Sequence, residues 1–285
     1  MNAFAGIGSR LGSIPLVRTT LGVLLALTLL AIVGPVLSPH GAADANFDNI
    51  LAPPSLGDAH WFGTDQLGRD LLVRTLEGLR TTLLVAVVSS VVSLVIGVAY
   101  GAVAGFVGGR VDTVMMRLVD ALYALPFIFF VILLMVVFER SFLLIFVAIG
   151  AVNWLDMARI VRGQTLSLKE RDFVAAARLT GVSTVRILLT HIAPNLLGVV
   201  LVYLTLTIPQ VILVESFLSF LGLGVQPPAT SLGTLVAGGV GPLETAPWVL
   251  LLPSAVLFVV LLCCNFLGDG LRDAVDVRLS RRETP

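Results

Sequence analysis

No Asp, Glu, Lys or Arg interrupts the sequence from Thr81 to Gly109, a run of 29 residues. About 20 predominantly apolar residues are enough for a helix to cross the hydrocarbon of a bilayer. A soluble helix of that length would need a charged face, and this one has none. Lipid is therefore the solvent that the run implies. Five further runs read the same way: Thr19–Ala43, Ala121–Phe138, Ser141–Leu155 with its continuation past Asp156 to Val161, Ile187–Val214, and Thr245–Gly268. Only 13% of the 285 residues are charged and 57% are hydrophobic. Soluble domains carry about 25% charge, so this chain has too little to cover a wetted surface.

A seventh uncharged stretch, Phe217–Leu243, holds six glycines and three prolines. No straight helix crosses there. "SFLSFLGLG" is expected to be a short re-entrant or surface helix followed by irregular chain, which survives at membrane depth only where protein or water satisfies it. Basic residues test the count. With six crossings and both termini cytoplasmic, fourteen of the eighteen Lys and Arg fall inside and four, Arg69, Arg74, Arg80 and Arg140, outside. Cytoplasmic loops carry the basic excess, and a seventh crossing would put the four C-terminal arginines outside. The expected fold is an all-α integral membrane protein with six transmembrane helices. Its parts are a cytoplasmic segment 1–18, a first crossing at 19–38, an outer loop 39–80, a five-helix core 81–268 and a cytoplasmic tail 269–285. The core contains an inner loop 163–195 and an outer re-entrant loop 216–245. "GAADA" after the first run mimics a signal-peptidase site, but the run is longer than a signal h-region of about 7–15 residues. An uncleaved first crossing is expected.

In the outer loop, Asp65 stands where it would cap an amphipathic helix, with Leu67, Leu71, Leu72, Thr75, Leu76 and Leu79 recurring at helical spacing. Asp70 and Arg74, four apart, would pair on it. Such a helix lies at the membrane face or serves, through Asp65, Arg69 and Asp70, as a docking shelf. In the inner loop, Arg171, Asp172, Ala175, Ala176, Ala177 and Arg178 belong to one short helix, Gly181 breaks it, and Ser183 caps a second. Phe173, Val174, Leu179 and Ile187 would hold both against the bilayer. The spacing is that of a DNA-reading helix-turn-helix, but a unit fixed at both ends to membrane spans cannot enter a groove. Zero net charge also argues against nucleic acid. A protein-docking knob remains. Lys169 is the one lysine, so no phosphate-binding G-x-x-x-x-G-K loop exists and any nucleotide must bind another subunit.

Cys263 and Cys264, adjacent in an apolar run, read as packing residues. His40, His60 and His191 show no metal-ligand spacing. Asp120, Tyr123, Asn153, Asp156 and Glu215 are candidates for a polar path or for helix–helix hydrogen bonds. No catalytic constellation stands out.

The inner hairpin resembles the "EAA" loop of ATP-binding-cassette (ABC) importer permeases, in which two short helices sit in a cleft of the ATPase. "HWFGTDQLGRDLLVR", "GGRVDTVMMRLVDAL", "LLIFVAIGAVNWLDMARIVRGQTLSLK", "ESFLSFLGLG" and "CNFLGDGLRDAVDVR" resemble the C-type permease of bacterial oligopeptide importers, with the dipeptide and nickel branches as alternatives. The family loop usually has glutamate where this chain has Ala175, while Ala176, Ala177 and Gly181 match. Glu170 and Asp172 are the nearest acids. The resemblance implies the type I importer architecture in the bacterial inner membrane and a heterodimer with a second homologous permease. It also implies two ABC ATPase subunits that hold ATP and Mg²⁺, an extracytoplasmic peptide-binding protein, and no cofactor or metal on this chain. The contrasting class, a stand-alone secondary transporter, would be expected to show charged midplane residues and internal repeats.

Overall fold

The computed structural model describes residues 15–55, 57, 60–137 and 142–282. Among them every regular element is helical, apart from a single bridge between Thr64 and Asp70. The helices are α1 (Pro15–Leu37), α2 (Leu71–Val107), α3 (Gly109–Tyr123), α4 (Phe127–Val137), α5 (Phe142–Leu168), α6 (Asp172–Leu179), α7 (Thr184–Ile187), α8 (Ala193–Phe220), α9 (Leu232–Gly239) and α10 (Trp248–Arg282). A π-helical turn, Leu188–Ile192, joins α7 to α8 without a break. By length and composition, α1, α2, the joined Thr184–Phe220 rod and the apolar part of α10 can each cross a membrane.

The outer-loop helix and the second crossing are not separate. α2 runs for 37 residues, roughly 55 Å at 1.5 Å per residue. Asp70 is its N-cap, its side chain accepting from Val73 N at 2.9 Å. The periodicity holds from Leu71 onward, with Leu67 in the turn before it, and the lone Gly78 does not break the helix, which simply continues. The Ala121–Phe138 run is split instead. α3 stops at Tyr123 and α4 starts past Pro126, because a proline disfavours helical backbone in the residue before it. "ESFLSF" is the end of α8, not a re-entrant helix. The short helix of that region is α9, where Ser231 and Thr234 form a reciprocal capping box. Phe138, Arg140 and Ser141, expected at the edges of the third and fourth crossings, lie outside the described residues, as do residues 1–14 and 283–285.

α2 and α5 make the tightest seam. Every fourth residue of α2 from Ser89 to Gly105 is Ser or Gly, namely Ser89, Ser93, Gly97, Gly101 and Gly105, and all are buried. Ser93 Oγ donates to Gly150 O at 3.2 Å. A methyl group added to Gly97 would stand 2.6 Å from Met157 Cβ, one on Gly105 2.8 Å from Arg162 O, and one on Gly101 would overlap the Ala158 carbonyl oxygen. Small residues at a four-residue interval let two backbones approach closely in lipid, where dispersion replaces the hydrophobic effect as the cohesive force.

Two cores flank this seam. One, with Leu79, Ile149, Ile212, Leu218 and Leu232, sits beneath α9. The other, with Phe106, Met157, Val161, Val174, Ala177, Ile187, Ile192 and Leu196, sits beneath the hairpin α6–α7. α1 runs between the two ends: Val17 crowds Gly270 of α10, and Gly34 crowds Leu76 of α2.

Candidate functional site

The hairpin is fixed on one face and bare on the other. Val174, Ala177 and Ile187 are buried in the second core. Asp172, in the first turn of α6, and Ala175, Ala176, Arg178 and Ser183 are exposed. Gly181 has φ +76°, and Gly181 N donates to Arg178 O at 3.0 Å while Val182 N donates to Ala177 O at 3.1 Å. These two bonds define a Schellman cap, whose turning residue adopts a left-handed conformation that glycine reaches without strain. Arg171 and Ser183 occupy the N-cap positions of α6 and α7, but neither side chain makes a capping bond. Of the residues expected to lie against the bilayer, Val174 packs inside the bundle, while Leu179 is 89% exposed on the chain and Phe173 40% exposed. Helical phase explains it: Leu179 lies five residues past Val174, which is more than one turn, so it leaves the buried face.

Clamps hold the hairpin's footing. Arg162 at the end of α5 grips Asp112 of α3 with Nε to Oδ1 at 2.5 Å and Nη2 to Oδ2 at 2.6 Å. The hydrogen bonds from Arg162 hold the Asp112 carboxyl below its ordinary range, against the opposing effect of burial. Lys169 Nζ donates to Gly105 O at 3.2 Å, and the Arg178 guanidinium lies 4.8 Å from the Phe106 ring centroid. A lowered folded-state pKa means that the Asp112 contribution is present above the unfolded pKa and lost as pH falls through the folded one. Asp112→Asn should therefore destabilise at neutral pH by about 1–2 kcal/mol, a figure for a part-exposed bidentate pair. The mutant and wild-type unfolding midpoints, measured in detergent, should begin to converge as pH falls below about 4 and meet only below the lowered folded-state pKa. A pH-independent gap would assign the loss to packing.

At the opposite end, the turn 60–70 is an internal staple. Asp65 does not cap a helix. Its Oδ1 accepts from Leu67 N at 2.8 Å and Arg69 N at 3.1 Å, and its Oδ2 meets Arg69 Nε at 2.8 Å and Arg74 Nε at 3.2 Å. Arg74 therefore pairs with Asp65, not with Asp70 as its spacing had implied. Asp70 is occupied by its helix cap and by His60 Nδ1 at 2.8 Å. Asp65 and Asp70 are 6% and 3% exposed, so of the three docking candidates only Arg69 reaches the rim. Trp61, at 59%, and Leu67, at 43%, supply apolar surface there.

Of the polar-path candidates, the fold gathers three. Tyr123 and Asp156 line a cavity of about 370 Å³ with Leu122, Leu125, Pro126 and Phe130. Asp120 accepts from Arg159 Nη2 at 2.9 Å, and Arg159 lies 4.3 Å from the Tyr123 ring centroid. Asn153 turns back onto its own helix, donating to Ile149 O at 3.0 Å. Glu215 is fully buried, accepts from Ser219 Oγ at 2.8 Å and does not line that cavity.

Comparison with known proteins covers most of the chain. Residues 97–281 match the family described as binding-protein-dependent transport system inner membrane component. The oligopeptide transport system permease protein OppC of Escherichia coli (strain K12) is 56% identical over 254 residues, spanning 89% of this chain and 84% of that protein. OppC of Bacillus subtilis is 43% identical over 91% of this chain and 84% of its own length. The dipeptide transport system permease protein DppC of Bacillus subtilis is 43% identical over 95% and 85%. Among solved structures, the MetNI methionine ABC transporter in an inward-facing conformation aligns with TM-score 0.56 at 22% identity, covering 72% of this chain and 96% of that one.

Proposed function

We infer the function from one premise: the chain belongs to the family of binding-protein-dependent transport system inner membrane components. A permease of this family implies ATPase and substrate-binding partners in general. We propose that the chain resides in the bacterial inner membrane and, as one half of a heterodimer with a second related permease, forms the translocation path of an ABC importer for oligopeptides. In this reading α1, α2, the stretch formed by the end of α3 and α4, α5, α8 and α10 carry the six crossings, and both termini are cytoplasmic. The hairpin α6–α7 faces the cytosol, and the turn 60–70 with the chain 221–247 faces outward. Two ATPase subunits bind and hydrolyse ATP with Mg²⁺. This chain supplies no catalytic group, metal or cofactor to that chemistry.

The observation that carries the reading is the two-faced hairpin. Its inner face is locked into the bundle by Val174, Ala177 and Ile187, while Leu179 projects away from the bundle, 89% exposed. A large apolar side chain kept bare on a capped, rigid turn is a feature that a docking partner explains. ATP-driven closure of the ATPases would push the hairpin, and the α7–α8 rod and α2 would transmit that displacement to the outer turn. Such coupling needs two discrete packings of one bundle. The peptide-binding protein would dock at the outer rim near Arg69, Trp61 and Leu67. The cavity around Tyr123, Asp156 and the Asp120–Arg159 pair would face the passing peptide.

Leu179→Glu tests the docking face. Affinity purification from membranes should recover the second permease at wild-type yield and the ATPases at roughly tenfold lower yield, the equivalent of about 1.4 kcal/mol. Undiminished ATPase recovery with normal peptide uptake would remove this hairpin from the interface. Competition of labelled tripeptides against dipeptides and Ni²⁺ in whole-cell uptake separates the oligopeptide branch from its two alternatives.

A further inference from the structure

Twenty residues separate His40 from His60, and ten separate His60 from Asp70. The fold nevertheless brings one donor atom of each within 4.8 Å of the other two. The imidazole rings face each other with centroids 4.5 Å apart and planes inclined by 26°. Asp70 Oδ2 meets His60 Nδ1 at 2.8 Å, and Oδ1 of the same carboxylate is tied to Val73 N at 2.9 Å. His60 and Asp70 are buried. His40 Nε2 is screened from solvent and has no hydrogen-bond partner among the described residues. An unsatisfied buried polar atom costs about 1–3 kcal/mol, so a lone pair held dry beside a second imidazole and a fixed carboxylate needs a reason.

We propose that His40, His60 and Asp70 bind one divalent transition-metal ion of the zinc class at the end of the bundle opposite the hairpin. Two imidazoles and a carboxylate are a donor set for Zn²⁺, with Ni²⁺ and Cu²⁺ as competitors. Ca²⁺ and Mg²⁺ prefer oxygen donors throughout. Donors around a tetrahedral ion with bonds of about 2.0–2.1 Å stand about 3.3 Å apart. The His60–Asp70 pair is already near that separation, so the adjustment falls on His40. That residue sits in the short segment just past α1, held by its own N–H to Ser38 Oγ at 3.1 Å. Partly buried and tied by few bonds, it is the ligand best able to move. Three protein ligands leave a fourth position for water. The site links the segment after α1 to the first turn of α2, where the Arg74 Nη1 bond to Ala42 O at 3.2 Å is a further tie between the same two pieces.

The test uses the full chain in nanodiscs with any affinity tag removed. Titration with Zn²⁺ should give one ion per chain with a dissociation constant in the micromolar range or tighter. Co²⁺ in its place should give the visible d–d bands of a tetrahedral N/O site. His40→Gln, which leaves the α2 cap and the His60–Asp70 bond untouched, should weaken Zn²⁺ binding roughly tenfold or more, and His191→Gln should leave it unchanged. Because His40 lies outside every regular helix, the His40→Gln variant keeps the comparison interpretable even if His60 variants fold poorly. Absence of stoichiometric Zn²⁺, or wild-type affinity in His40→Gln, overturns the assignment.

Discussion

Gly101→Leu is expected to remove most of the folded protein from the membrane. Its added Cβ meets the Ala158 carbonyl oxygen, with Arg162 N and Val161 Cβ each 3.0 Å away. Overpacking of a core costs about 1–3 kcal/mol, occasionally more. The upper end applies here because the obstacle is backbone on a neighbouring helix and cannot rotate aside. Only separation of α2 from α5 would make room, and that opens the seam at Gly97 and Gly105 together. Gly163→Leu is the matched control, since a Cβ there meets nothing within 4 Å although Gly163 lies in α5. Membrane abundance and the unfolding midpoint in detergent should fall sharply for Gly101→Leu and stay near wild type for Gly163→Leu. Equal behaviour of the two would dissolve the seam as a source of stability.

Gly181→Pro should leave the protein in the membrane yet abolish uptake. Proline fixes φ near −65°, against the observed +76°. It also deletes the N–H that donates to Arg178 O. The Schellman turn cannot form, so α6 and α7 lose their relative orientation. The helices of the bundle do not depend on that turn, and their packing should survive. Gly181→Ala keeps the donor and carries only the left-handed penalty of about 1–2 kcal/mol, so it should retain partial uptake. Within the proposed importer, uptake by Gly181→Pro should fall to background while ATP hydrolysis by the assembled complex no longer responds to peptide-loaded binding protein. Normal uptake in that variant would deny the hairpin any coupling role.

The sequence showed the crossings wherever charge was absent over a full span, because desolvation acts on every residue of such a run. α1, α2, α8 and α10 were legible for that reason. It showed the hairpin too, since Ala-rich turns, Gly181 and Ser183 are local signals. Partnerships were harder. Asp65, Asp70 and Arg74 lie within ten residues of one another, yet their pairing depends on how the turn at Gly63 and Gly68 closes, and spacing alone assigned Arg74 to the wrong carboxylate. The Ser89-to-Gly105 ladder stood in plain view at four-residue intervals, but a count of charges does not register small side chains. His40 and His60 carry no local sign of their meeting, which the path of the loop decides. Leu179 differs from Val174 only in helical phase, and composition is silent about phase.

The turn at Leu188–Ile192 fits an additional residue into the join between α7 and α8, a surplus that straight α geometry would not hold. One residue of α-helix is a rotation of about 100°. A single deletion there would remove that surplus and let the rod heal into regular helix, whereas forcing the full complement of residues into α geometry would turn the hairpin by about 100° relative to α8. The orientation of the α6–α7 hairpin relative to α8 thus rests on one widened turn of backbone, which takes up a residue that would otherwise rotate it.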